Sequence, residues 1–136
     1  MSWIYNNEVL MEIPKNMEGF VYLITNLKNE RKYIGKKNFW TRQKDRKTGR
    51  RKKKESDWKT YLGSCDELKE DIKLFGEENF KKEILYICKH KKSMSFYETM
   101  EQFKRDVLFT SDYYNTNIEG KYFESEKDRI YGEILK

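Results

Sequence analysis

Two tyrosines stand eleven positions apart, Tyr22 in Val21-Tyr22-Leu23 and Tyr33 in Tyr33-Ile34-Gly35, on either side of the turn-forming Asn26-Leu27-Lys28-Asn29-Glu30. A phenolic hydroxyl can donate or accept a hydrogen bond and, once ionised, act as a base. Lys36 follows the second triplet, and nine of the thirteen residues from Arg42 to Lys54 are Lys or Arg, against the single acid Asp45. Those nine, Arg42, Lys44, Arg46, Lys47, Arg50, Arg51, Lys52, Lys53 and Lys54, can each neutralise a phosphate and release a counterion, which gives a strong but sequence-blind attraction. Farther along, Glu98 and Glu101 offer carboxylates and Asn115 an amide. Together they suit chemistry on an anionic substrate. The hairpin alone does not decide this, because tyrosines packed in a small aromatic core would give the same pattern.

The composition supports a folded domain and an anionic partner. Charged residues make up 38% and hydrophobic residues only 37%, yet 15% are aromatic, and disordered chains are poor in aromatics. Phe, Tyr and Trp must supply burial that the few aliphatics cannot. The net charge of +6 favours nucleic acid, an acidic protein or an anionic membrane surface. No run approaches the roughly 18 apolar residues a membrane span needs, and the N-terminus lacks the basic start and apolar stretch of a signal peptide. Cys65 and Cys88 have no zinc-type spacing and read as reduced thiols of a cytoplasmic protein. His90, set among Lys89, Lys91 and Lys92, reads as a surface residue.

The elements that must position these groups follow from periodicity. Gly19 to Thr25 is a short β-branched and aromatic run, a buried strand, and Lys32-Tyr33-Ile34 is its hairpin partner. The basic run cannot pack and is expected as loop or frayed helix. Phe39 is expected in the core with Trp40, and Trp58, Tyr61 and Leu62 mark the return to it. Ser64-Cys65-Asp66-Glu67 fits a capping box before Leu68, Ile72 and Phe75, with Gly76 at the C′ position. Phe80 to Cys88 reads as a third strand. Ser95-Phe96-Tyr97-Glu98 fits a second capping box, opening a helix whose apolar face carries Phe96, Met100, Phe103 and Val107. A short helix is expected over Glu126 to Leu135. The fold class is therefore α+β, a small three-stranded mixed sheet flanked by helices.

The two tyrosine triplets resemble the motif of the GIY-YIG nuclease family. Tyr33-Ile34-Gly35 matches outright, while the first triplet departs from the name: Val21 replaces Ile, and Gly19 lies two positions before it. An arginine after the second triplet, a glutamate on a later helix and an asparagine near the domain's end follow in the family's order. Gly76-Glu77-Glu78-Asn79-Phe80 resembles its turn into the third strand. The resemblance implies that Tyr22 contacts the attacking water as general base and that Tyr33 positions water or phosphate. Lys36 would contact water or phosphate, with Gly35 as a support. Arg42, nine positions after Tyr33, is the candidate arginine, with Arg46, Arg50 and Arg51 as substitutes. Glu98, by motif position, is the candidate metal ligand; the helical wheel slightly favours Glu101, the runner-up. Asn115, in Tyr113-Tyr114-Asn115, would support the hairpin or contact phosphate. A tyrosine pKa near 10 is poor for a base, so a metal ion and nearby cations are expected to lower it.

The family reading implies a DNA endonuclease dependent on one Mg²⁺ or Mn²⁺ ion, of phage or homing type. It divides the chain into an N-terminal extension (1–18), a nuclease domain (19–118) with a basic DNA-docking insertion (42–57), and a tail (119–136). The chain ends soon after Asn115, so that insertion is expected to do the docking that a separate C-terminal domain does in other members. The setting would be cytoplasmic, the host's if phage-encoded, with a homo-oligomer for double-strand cutting. The alternative is a non-catalytic nucleic-acid-binding module using the same basic face.

Overall fold

The protein is described by a computed structural model, over residues 1–126. Five strands form the main sheet: β1 (Trp3–Tyr5), β2 (Glu8–Val9), β3 (Gly19–Asn26), β4 (Lys32–Asn38) and β7 (Phe80–Cys88). Their spatial order is β2-β1-β7-β3-β4, with β1 parallel to β7 and the other pairs antiparallel. A separate ribbon pairs β5 (Trp40–Lys44) with β6 (Arg51–Glu55), and β8 (Asn117–Ile118) pairs with β9 (Tyr122–Phe123). Helices α1 (Asp66–Phe75) and α2 (Lys91–Lys104) complete the fold. The α+β class and mixed sheet are as expected, but the sheet has five strands rather than three. The extra two lie within residues 1–18 and are too short to show a period in the sequence. Even so, Trp3 is buried in the core, and its indole N–H donates to the Trp58 carbonyl at 2.6 Å.

Strand β3 lies between β7 and the edge strand β4, and nearly every residue in it is buried. Successive side chains point to opposite faces. Phe20, Tyr22 and Ile24 join Trp3, Phe39, Trp58, Leu68, Ile72 and Tyr114 on one face. Val21 and Leu23 join Ile34, Met94, Val107, Leu108 and Ile118 on the other. Two covered faces explain why the strand reads as a continuous apolar run rather than an alternation. A β-bulge against β7 falls between Val21 and Tyr22, a local irregularity of the kind that re-aims a side chain.

Strand β4 forms the sheet edge, and an uncovered edge invites pairing with other chains. Here it is capped from outside. The Lys32 N–H donates to the Asp112 carbonyl and the Tyr114 N–H to the Lys32 carbonyl, at 2.8 and 2.7 Å. One step on, the Asn115 amide takes over: Oδ1 accepts the Ile34 N–H at 3.1 Å, and Nδ2 donates to the Ile34 carbonyl at 2.9 Å.

Neither expected capping box forms. At α1 the N-cap position is Cys65, with no side-chain cap bond. The Ser64 hydroxyl instead meets the Tyr33 hydroxyl, and Glu67 accepts from Arg31 at 2.5 Å. Helix α2 begins at Lys91, so the Ser95–Glu98 box lies inside it. Its expected apolar face is also displaced. Phe96 and Phe103 are 63% and 53% exposed, whereas Met94, Glu101 and Gln102 are buried. Polar residues on the sheet-facing side misdirected a reading based on apolarity. The basic run is loop only over residues 45–50; on either side it forms the paired strands β5 and β6, and no part of it is helix. Strand β6 carries cations on both faces, whereas Arg42 and Lys44 of β5 share one, and Gly49, at φ 70°, supplies the left-handed residue of the turn. The helix expected over Glu126 to Leu135 lies outside the described residues beyond Glu126. Among the described residues, no helix is long and apolar enough to cross a membrane.

Two predictions follow from this architecture. Asn115→Ala leaves the Ile34 N–H without its acceptor and should cost about 1–3 kcal/mol in denaturant unfolding. The second concerns Lys82, 1% exposed on β7, with its ammonium 4.2 Å from the Trp3 ring centre and donating to the Lys59 carbonyl at 3.3 Å. Burial lowers its pKa to about 8, against a smaller opposing effect of Glu77. Below pH 8 the cation is buried in the folded state and the full penalty is present. Between about 8 and the ordinary lysine value of about 10.5 the folded state releases its proton first, so this contribution to stability rises with pH. Lys82→Met should therefore raise the melting temperature at pH 7, with an advantage that shrinks across that window in paired melts.

Candidate active site

Tyr22 on β3 stands directly opposite Gly35 on β4. A Cβ at Gly35 would collide with the Tyr22 hydroxyl and lie 2.5 Å from Cζ, so only glycine lets the phenol lie across the neighbouring strand. Tyr33 projects beside it, with ring centres 6.2 Å apart and its hydroxyl 3.0 Å from Ser64 Oγ. Two further residues shape this pair. Tyr61 packs edge-on to Tyr22 at 6.1 Å, and Lys37 lies 4.1 Å over Tyr61 while bonding Asp57 at 2.6 Å. Gly63, at φ 91°, would put a Cβ 3.5 Å from the Tyr22 hydroxyl and 3.6 Å from Tyr33 Cε1. The sequence reading passed over Gly63 and used Tyr61 only as a core marker. The available signal was a glycine two positions after an aromatic at the chain's return to the core.

From the other side of β4, the Lys36 ammonium donates to Ser95 Oγ at 2.7 Å. Glu98 lies on the same helix three residues later. These groups line an open cleft of about 830 Å³, with Tyr33, Lys36, Ser64, Glu98, Gln102 and Asn115 among its walls. Tyr22 lies beneath it, fully buried.

Burial dominates the electrostatics. It pushes the Tyr22 hydroxyl well above its usual pKa, with Tyr33, Tyr61 and Glu98 adding to the effect. Tyr33 is also raised, first by burial, with the Ser64 hydrogen bond opposing. Desolvation penalises the phenolate, and the strongest influences on the two hydroxyls are burial, neighbouring side chains and Glu98 rather than the basic ribbon. Glu98 is raised too, by burial and then against the pull of Lys36, with Glu119 reinforcing the rise.

The two candidate glutamates have different surroundings. Glu101 is 4% exposed, accepts from the Tyr86 hydroxyl and Arg105 Nε at 2.7 Å each, and does not line the cleft. Burial works to raise its pKa, but the Arg105 and Tyr86 hydrogen bonds prevail and hold it below the usual range. Glu98 does line the cleft, and among the described residues no hydrogen bond or ion pair closes on its carboxylate. A half-buried carboxylate without a partner fits a hard cation. One protein oxygen suits Mg²⁺ or Mn²⁺ retaining most of its waters. Among the described residues, no group of three or more His, Cys, Asp or Glu is arranged to share a metal ion.

The remaining candidates divide. Asn115 reaches the cleft wall while clamping Ile34, a hairpin support rather than a free amide. Arg42 is not brought to the cleft. It sits on β5 with Nη1 and Nη2 donating to the two carboxylate oxygens of Glu18 at 2.7 and 3.2 Å. Lys44, Arg46, Lys47, Arg50, Arg51, Lys52, Lys53 and Lys54 lie exposed along the ribbon and its turn. His90 is exposed, as expected, and both cysteines are free thiols.

A family model described as "Putative endonuclease segE, GIY-YIG domain" matches residues 3–118. Neither the curated proteins nor the solved structures contain a match. The matched span runs from the first strand of the sheet through both tyrosines, the cleft glutamate and the clamping asparagine. On that match the chain belongs to the GIY-YIG nuclease family.

Proposed function

We propose that the chain is a divalent-metal-dependent DNA endonuclease that hydrolyses a phosphodiester bond in this cleft. The observation that carries the reading is Glu98, a half-buried carboxylate without a partner of its own, beside Tyr33 and Lys36. Glu98 would hold one Mg²⁺ or Mn²⁺ ion. Such an ion, when bound, polarises the phosphoryl oxygens and eases departure of the 3′ oxygen. Tyr22, held over Gly35, contacts the attacking water and takes its proton as the phenolate. Tyr33, tethered to Ser64, orients water or phosphate. Lys36 places its ammonium against a phosphate oxygen, where positive charge stabilises the transition state. Gly35 and Asn115 position these groups without reacting. The basic ribbon docks the DNA through Lys44, Arg46, Lys47, Arg50, Arg51, Lys52, Lys53 and Lys54. One cleft nicks one strand, and a double-strand cut takes two copies. The free thiols suit a cytoplasmic setting, the host's if the chain is phage-encoded.

One observation favours a second reading, a non-catalytic nucleic-acid-binding module: among the described residues no arginine lines the cleft, and Arg42 is engaged by Glu18. Activity assays separate the two. Wild-type protein should nick supercoiled plasmid with Mg²⁺ and stop in EDTA. Glu98→Gln should lose at least about 100-fold in rate, on the scale of losing a principal transition-state contact. Glu101→Gln should melt lower but still nick. Nicking retained in Glu98→Gln sinks the metal role, and DNA binding without cutting under varied metals supports the module.

The raised tyrosine pKa gives a signed pH dependence. Because the Tyr22 phenolate is the minor form at neutral pH, the nicking rate should climb with pH, approaching about tenfold per unit. No plateau should appear below the ordinary tyrosine range. The raised Glu98 pKa adds a loss on the acid side that excess metal shifts to lower pH. A rate that levels off near pH 7 would assign the base to another group.

A further inference from the structure

The ribbon's two strands pair only with each other, and directly opposed residues of an antiparallel pair share a face. Trp40 with Glu55, Arg42 with Lys53 and Lys44 with Arg51 lie on one face; Thr41 with Lys54 and Gln43 with Lys52 lie on the other. The first face is fastened to the body at its root. Arg42 makes its two bonds to Glu18, the Trp40 indole N–H donates to the Met17 carbonyl at 3.1 Å, and Trp58 Nε1 donates to Glu55 at 2.9 Å. Lys53 lies 4.2 Å over the Trp40 ring. The Arg42 guanidinium holds the Glu18 carboxyl below its usual range. Arg42 therefore anchors the arm. The second face is exposed at all four positions. Its polar contacts stay within the ribbon: Thr41 Oγ1 donates to the Lys54 carbonyl at 3.3 Å, and Lys52 approaches Asp45 at 3.7 Å.

We propose that this outward face seats in the major groove of duplex DNA, with Gln43 at the base edges and Lys52 and Lys54 on the flanking phosphates. The inference takes its substrate class from the nuclease reading but does not depend on the cleft's chemistry. A two-stranded ribbon fits the major groove, about 12 Å wide, and not the minor groove, about 6 Å. The strands extend about 17 Å from the root. A glutamine amide matches the donor–acceptor pair of adenine in that groove, whereas lysine meets phosphate as a point charge. On this face the Gln43 amide of β5 stands beside two cations of β6, unlike the turn, whose Arg46, Lys47 and Arg50 carry charge without base information.

The test measures binding by wild-type protein in EDTA, so that cutting plays no part. The ligands are a DNA duplex, the same duplex saturated with distamycin in its minor groove, and one carrying glucosylated hydroxymethylcytosine in its major groove. The fourth is an RNA duplex of the same sequence, whose deep, narrow major groove is closed to side chains. The major-groove modification and the RNA duplex should each weaken binding at least about tenfold, while distamycin leaves it unchanged. Lys52→Ala and Lys54→Ala should each reduce the salt slope by about one. Gln43→Ala should keep the average affinity but flatten base preference at one position in selection from randomised duplexes. Displacement by distamycin, indifference to major-groove bulk, or unchanged preference in Gln43→Ala overturns the assignment. Binding that passes these tests in a protein that never nicks upholds the groove assignment and sinks the nuclease reading.

Discussion

The Tyr22 ring occupies the volume that any side chain at Gly35 would need. That exclusion ties an inner strand of the sheet to its edge, because Tyr22 belongs to the doubly covered strand β3 and Gly35 to the edge strand β4. The β4 backbone must hold its place for the contact to work, and Asn115 fixes it by bonding both backbone groups of Ile34, the residue before Gly35. A hydroxyl from the α1 side thereby comes near a carboxylate from the α2 side across a strand that carries no side chain at the crossing. The site is a gap in the sheet edge, kept open by a glycine.

Charge in the molecule is sorted by whether it has a partner. Glu101 is satisfied by Arg105 and Tyr86, Glu18 by Arg42, and Glu67 by Arg31. Among the described residues Glu98 has no such partner, and burial pushes it toward its neutral form. An unpartnered buried carboxylate is a cost that structural ion pairs avoid. The proposed metal ion would supply the partner that the described residues do not. The tyrosines follow the same logic, since burial keeps both hydroxyls neutral.

The sequence was most legible where one local rule operated alone. The β3–β4 hairpin, the β7 strand and the end of α1 at Gly76 followed from apolar runs and a glycine stop. It was least legible where tertiary partners outbid local ones. Ser64 and Glu67 could have capped α1, but Tyr33 and Arg31 bind them instead. The wheel of α2 misled because Glu98, Glu101 and Gln102 occupy its inward side while Phe96 and Phe103 face solvent. The basic run showed no period because cations alternate with cations, so its strand character was invisible. Arg42 was read by spacing as a phosphate ligand. Its carboxylate partner Glu18 lies 24 residues away in sequence, a distance that local patterns do not span.

The ribbon leaves strand β4 with almost no slack. A single residue, Phe39, separates β4 from β5, and it is fully buried, with its N–H on the Glu18 carbonyl and its carbonyl accepting from Ser56. So short and buried a junction leaves the arm little freedom to swing relative to β4. If both engage a duplex at once, the adjustment falls on the DNA, which must bend or twist until a phosphate reaches the cleft. On the proposed nuclease reading, its stiffness would then enter the choice of cutting site, and flexible pyrimidine–purine steps would deform at the least cost.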